Sequence, residues 1–176
     1  MRAAALLAAL LLVGSLQLTH DASTPALQPA TAQARFAPLA AGSTAGANAT
    51  NASATVAGAV LVASTQDLLW LNNTNATGAY WVRLVSTSAT GLAGATTLRL
   101  GVDNGTATDQ VVVSNGLLTQ SSGAYVRLPP ASANRVYATT LVAALYGTGV
   151  LALDVYVADD PAESAFYVMR AVVTVT

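Results

Sequence analysis

The sequence predicts an all-β protein: a single antiparallel β-sandwich preceded by an extended N-terminal arm. From Val56 onward, short runs rich in Val, Leu, Tyr and Thr are separated by Gly, Asn, Asp and Pro, the composition of strands and their turns. Two of those runs alternate in the period of a half-buried strand. Leu151, Leu153, Val155 and Val157 oppose Asp154 and Tyr156, and Tyr167, Met169, Ala171, Val173 and Val175 oppose Arg170, Thr174 and Thr176. About nine such runs in about 120 residues indicate a sandwich, with a small closed barrel as the alternative.

Taken in order, residues 1–34 read as a secretion leader. Met1-Arg2 precedes the apolar run 3–18, too short for a comfortable membrane span, and the small-residue site Ala32-Gln33-Ala34 stands before Arg35. Residues 35–54, small and rich in Gly, Ala and Thr, read as an arm and linker. The sandwich domain is then 55–176, with strands expected near 55–63, 67–71, 79–86, 95–103, 109–114, 116–120, 124–128, 135–145, 150–158 and 165–175. Asn104-Gly105 and Asn115-Gly116 suit turns needing positive φ, and Pro129-Pro130 stops a strand. Both alternating sets of 56–63 are apolar or tiny, so that strand is expected to be covered on both faces.

The composition narrows the chemistry. The chain has no Cys and no Lys, and its one histidine, His20, lies in the leader. Ser-His-Asp and Cys-His catalysis, imidazole metal sites, Schiff bases and P-loops are thereby excluded from the domain, leaving carboxylates as acid–base groups. No enzyme activity and no cofactor are expected. A formal net charge of -1 offers nothing to nucleic acid or to an anionic membrane.

Asp103 and Asp109 flank a loop with a weak likeness to an oxygen-rich calcium site, and Asp159 with Asp160 forms a second weak candidate. The plain reading is a hairpin loop for the first. For the second it is one helical turn, with Asp160 as cap, Pro161 in the first position and Glu163 three after the cap. Trp70, Tyr80 and Trp81 flank the 72–77 loop and read as packing, with a sugar-stacking platform as the alternative. Arg83, Arg99, Arg127 and Arg170 read as solvated-face residues.

The strongest motif is the glycosylation triplet. Five of the eight asparagines, Asn48, Asn51, Asn72, Asn75 and Asn104, open Asn-Xaa-Ser/Thr. Ser and Thr at about one residue in five would place only one or two there by chance. Charged residues are only 9% of the chain, so attached sugar would supply hydration that charge does not.

Sheet edges are normally defended by Lys or inward charges, and this chain has few to place there. An apolar N-terminal segment joined through a linker suits a strand lent to a neighbour's open sheet. The layout, the triplet density, and the stretches LRLGVDNGTATDQVVVSNG and LALDVYVADDPA resemble exported, glycosylated filament subunits of hyperthermophilic archaea, the threads and related donor-strand pili. The resemblance implies an Ig-like or pilin-like sandwich completed by the N-terminal strand of the next subunit. It further implies identical subunits as partners in a head-to-tail homopolymer, an extracellular location, cell-surface or carbohydrate contacts, and a role in adhesion or cell contact. The donor is either the segment 35–41, with Phe36 and Leu39 as plugs, or the run 56–63, with Val56, Val60 and Val62. The alternative is a secreted monomeric adhesin or carbohydrate-binding module on the same fold.

Overall fold

In a computed structural model, residues 33–46, 49–56, 64–92, 97–141 and 149–176 are described. Twelve strands lie among them: β1 (Ala34–Pro38), β2 (Thr44–Ala45), β3 (Asn51–Val56), β4 (Ser64–Asn73), β5 (Tyr80–Thr90), β6 (Thr97–Asp103), β7 (Ala107–Ser114), β8 (Leu117–Gln120), β9 (Val126–Leu128), β10 (Ser132–Leu141), β11 (Gly149–Ala158) and β12 (Tyr167–Val175). They form two sheets, β1-β4-β10-β6-β7-β8 and β2-β3-β12-β11-β5-β9. Every pairing is antiparallel except β3 with β12. The expected sandwich is therefore the fold.

The period-2 readings locate the core. Leu151, Leu153, Val155 and Val157 are all at most 2% exposed, and Tyr167, Met169, Ala171, Val173 and Val175 at most 3%. Their partners across the sandwich include Leu69, Leu71, Leu98, Leu100, Val111 and Val113. Asn115 and Gly116 both take positive φ, 51° and 75°, making the tight β7–β8 hairpin that Asn-Gly favours.

In two places where consecutive residues are both buried, a bulge accounts for it. Leu68 and Leu69 are 0% and 1% exposed, and the β4–β10 register slips there, pairing Val136 with Leu69 but Tyr137 with Asp67. The same device turns Gln110 inward beside Val111, because Leu100 pairs with Val111 and Gly101 with Asp109.

Gly101 is buried at this second bulge, where a Cβ would overlap the Thr108 carbonyl and the Tyr137 ring. Gly101→Ala is expected to cost about 1–3 kcal/mol through overpacking, read as a lower midpoint in urea with an unchanged slope.

Several boundaries differ from expectation. β4 begins at Ser64 and runs to Asn73, so Asn72 lies in a strand instead of a loop. The tip 159–165 holds a turn, not a helix. Asp160 caps it as expected, its Oδ1 accepting the Ala162 N–H at 2.8 Å, but one i to i+3 bond, Glu163 N–H to Asp160 O, closes it. Of the two-faced run 56–63, only Val56 is within the described residues, and it is fully buried.

Candidate functional site

The most informative region is the N-terminal segment, because it belongs to both sheets. β1 lies at the edge of the first sheet, antiparallel to β4, with Phe36 opposite Leu71 and Ala37 opposite Trp70. Alternation sends Ala34 and Phe36 inward, at 1% and 2% exposure, while Arg35 faces solvent. Leu39 is half-buried just beyond β1.

A compact turn follows, in which Ser43 Oγ accepts the Leu39 N–H and donates to the Ala40 carbonyl. The chain then crosses to the second sheet through β2 and β3. β3 runs parallel to β12, pairing Asn51 with Arg170 and Val56 with Val175.

Few contacts beyond β4 fasten β1. The Phe36 N–H reaches the Ala49 carbonyl at 2.7 Å, and Tyr167 Oη donates to the Ala34 carbonyl at 3.5 Å. Gln33 O accepts from both the N–H and the hydroxyl of Thr74.

The glycosylation candidates occupy unlike settings. Asn51 is exposed at the start of β3. Asn72 is half-buried in β4, between β1 and β10, with its Oδ1 shielded and without a hydrogen-bond partner. Asn75 accepts the Thr77 and Gly78 N–H groups in an Asx turn, and its amide approaches Tyr80 Oη at 3.4 Å. Asn104 donates to the Arg127 carbonyl at 2.7 Å. Asn48, like Val60 and Val62, lies outside the described residues.

The calcium candidates are otherwise engaged. Asp103 accepts the Gly105 N–H and pairs with Arg135, which also reaches Asp67 at 3.1 Å. Asp109 pairs with Arg99 at 2.9 Å and accepts the Tyr137 hydroxyl at 2.8 Å. Among the described residues no three carboxylate, His or Cys groups converge as a cation needs, and Asp159 and Asp160 stand on the exposed 159–165 turn.

This network makes stability depend on pH at both extremes. The Gly105 N–H and the Arg135 guanidinium lower the Asp103 pKa, so the stability it contributes is present above the ordinary carboxylate range and lost as acid protonates it. Burial, and then the bond to Asp109, raise the Tyr137 phenol; burial also raises Tyr167. Their contribution is complete below about pH 10 and lost as pH rises. Melting temperatures are expected to fall below about pH 4 less steeply in Asp103→Asn, and above about pH 10 less steeply in Tyr137→Phe.

The three aromatics near the 72–77 loop do not form a platform. Trp70 faces outward from the first sheet and Trp81 outward from the second, while Tyr80 points into the core, so the body of the sandwich separates them. A different cluster, not evident in the sequence, forms instead on the outer face of the second sheet. Tyr156 pairs across strands with Arg83, and Tyr125 approaches from the segment before β9, placing the guanidinium carbon 4.8 Å from the Tyr125 centroid and 5.6 Å from that of Tyr156. Outward parity of Arg83 and Tyr156 was legible, but only the β5–β11 register makes them neighbours.

No protein-family model matches the chain, and no curated protein sequence matches it. Among solved structures it is similar to the N-terminal domain of PorA, at 12% identity over 72% of this chain and 87% of that one, with a TM-score of 0.43. PapD-like domain 7 of human CEP192 is similar at 14% identity over 87% and 90%, with a TM-score of 0.41. A family 123 glycoside hydrolase from Clostridium perfringens shares 10% identity over 73% of this chain but only 23% of its own, with a TM-score of 0.30. These likenesses concern the β-sandwich fold alone.

Proposed function

We propose that the chain is the structural subunit of an extracellular filament, exported by its leader, N-glycosylated, and assembled by exchange of β1 between copies. The observation that carries this reading is the part of β1 that follows the leader: residues 35–38 lie at a sheet edge, bury Phe36 and, among the described residues, make their strand pairing with β4 alone. A second copy's β1 would meet the same groove with the same register, so exchange alters only which chain supplies the strand. Such a contact is heterologous, and where its rotation does not close it gives an open fibre.

The segment 35–41 is thereby favoured over 56–63 as donor, with Phe36 as the main plug. Pro38 stands at the last position of β1, where an edge strand tolerates it. Asn48 and Asn51 follow the exchanged strand in sequence, so sugars there would stay clear of the groove that receives Phe36. Adhesion or cell contact would be the fibre's task, with sugar supplying the hydration of its surface.

The cysteine-free chain permits a direct test. Arg35 and Asn72 are strand partners, at a Cα separation a disulfide can bridge. In oxidised fibres of the Arg35→Cys, Asn72→Cys variant, exchange is expected to give a ladder of covalent multimers on a non-reducing gel. Fibres that yield only internally linked monomers would remove β1 as the donor. Failure of the mature protein to form fibres in negative-stain images would remove the filament itself and favour a monomeric surface module.

A further inference from the structure

Arg83 differs from the other arginines that face outward from the strands. Arg99, Arg135 and Arg170 each pair with an aspartate, and Arg35 and Arg127, which lack an ion pair, are exposed; among the described arginines Arg83 alone is half-buried with no ion pair or side-chain hydrogen bond. Its Nε is shielded from solvent and lacks an acceptor. Arginine does not lose its proton in proteins, and a half-buried cation without a counter-charge is unfavourable. The two tyrosine rings compensate in part and hold the guanidinium in place.

The same residues line an open groove of about 450 Å³ together with Pro161, Ala162, Glu163, Ser164 and Ala165. That volume lies within the range of small-molecule sites, roughly 300–1,000 Å³.

From these features we propose that the groove binds a carboxylated sugar of the hexuronate class, its carboxylate seated on Arg83. A fixed, planar guanidinium suits a carboxylate, which it can engage through two parallel hydrogen bonds. The groove is much larger than a carboxylate alone. Its remaining wall carries what a pyranose ring uses: two aromatic rings with hydroxyls, the Ser164 hydroxyl, and small apolar side chains at Ala162 and Ala165.

Glu163 is the one carboxylate lining the groove, and its negative charge opposes that of the ligand. Asp154, further along β11 on the same face, is paired with Arg170 at 3.3 Å. Glu163 on the groove wall therefore lowers the affinity for an anion. The inference is independent of how subunits assemble, since β5, β11 and the 159–165 turn belong to one chain.

The test is titration of the mature protein, by calorimetry or chemical-shift change, with D-glucuronate, D-glucose and acetate. Glucuronate is expected to bind at least about tenfold more tightly than either of the others, the scale of one charge-assisted hydrogen bond. Arg83→Gln should abolish that preference, Arg83→Lys should weaken it by losing the fork, and Glu163→Gln should strengthen binding. Equal affinity for glucose would overturn the role of the carboxylate, equal affinity for acetate would overturn the sugar, and no saturable binding of glucuronate would overturn the site. Glu163 lies on an exposed turn, so its variant still reports if substitution of Arg83 harms folding.

Discussion

Phe36→Ala should lower the unfolding free energy by about 3–5 kcal/mol, the cost of removing a buried aromatic ring from a packed core. The residue is 2% exposed and sits opposite Leu71 at the edge of the first sheet, where β4 is its one strand partner among the described residues. The same substitution is expected to abolish fibre formation if β1 is exchanged, because the vacated groove then has no plug from either chain. The two effects separate by adding a synthetic peptide of sequence RFAPLAAG, residues 35–42, to a variant lacking 34–38. A melting temperature that climbs with peptide concentration would show the groove accepting the strand from outside, by the usual linkage of ligand to stability. A peptide with Ala for Phe should give no such rise. If the truncated protein is as stable as the intact one and ignores the peptide, β1 contributes neither packing nor assembly.

Gln110→Leu is expected to cost about 1–3 kcal/mol, although leucine is apolar and the site is wholly buried. β9 covers β5 only from Tyr80 to Val82, so the next backbone donor of β5 lies past its end. That donor, the Leu84 N–H, is met by Gln110 Oε1 at 3.2 Å, and Gln110 Nε2 donates in turn to the Ala124 carbonyl at 2.8 Å. Leucine would leave the Leu84 N–H unpaired in the interior, worth about 1–3 kcal/mol, whereas the Ala124 carbonyl belongs to an exposed residue that water can reach. Gly123 gives the amide its room, since a Cβ there would stand 2.9 Å from Gln110 Cδ. Denaturant unfolding of Gln110→Leu measures the loss; stability within about 0.5 kcal/mol of the parent would show these bonds to be dispensable.

Much of the sandwich was legible because its inner faces are written in a two-residue period. The runs ending in Val157 and Val175 needed no tertiary information, and neither did the hairpin at Asn115-Gly116. The bulges were not legible. Leu68-Leu69 and Gln110-Val111 break the alternation, and only the pairing register shows that each pair buries both members.

The arm was the larger difference. Its Gly, Ala and Thr look like linker in the sequence, yet Phe36 and Ala54 within it join the core, as do Ala34 and Val56 on either side. Which of its residues pack inward is set by the pairing of β1 with β4 and of β3 with β12, a property of the partners that the segment itself does not encode. The Arg83 groove was hidden for a related reason: its residues come from positions 83, 125, 156 and 161–165, which acquire proximity only through folding.

The parallel pairing of β3 with β12 has a mechanical consequence. Tension between the N-terminal side of β3 and the C-terminal side of β12 would pull these strands lengthwise past each other. All six registered pairs, from Asn51–Arg170 to Val56–Val175, would bear the load together. The chain thus carries, beside β1, one strand pair that resists tension in shear.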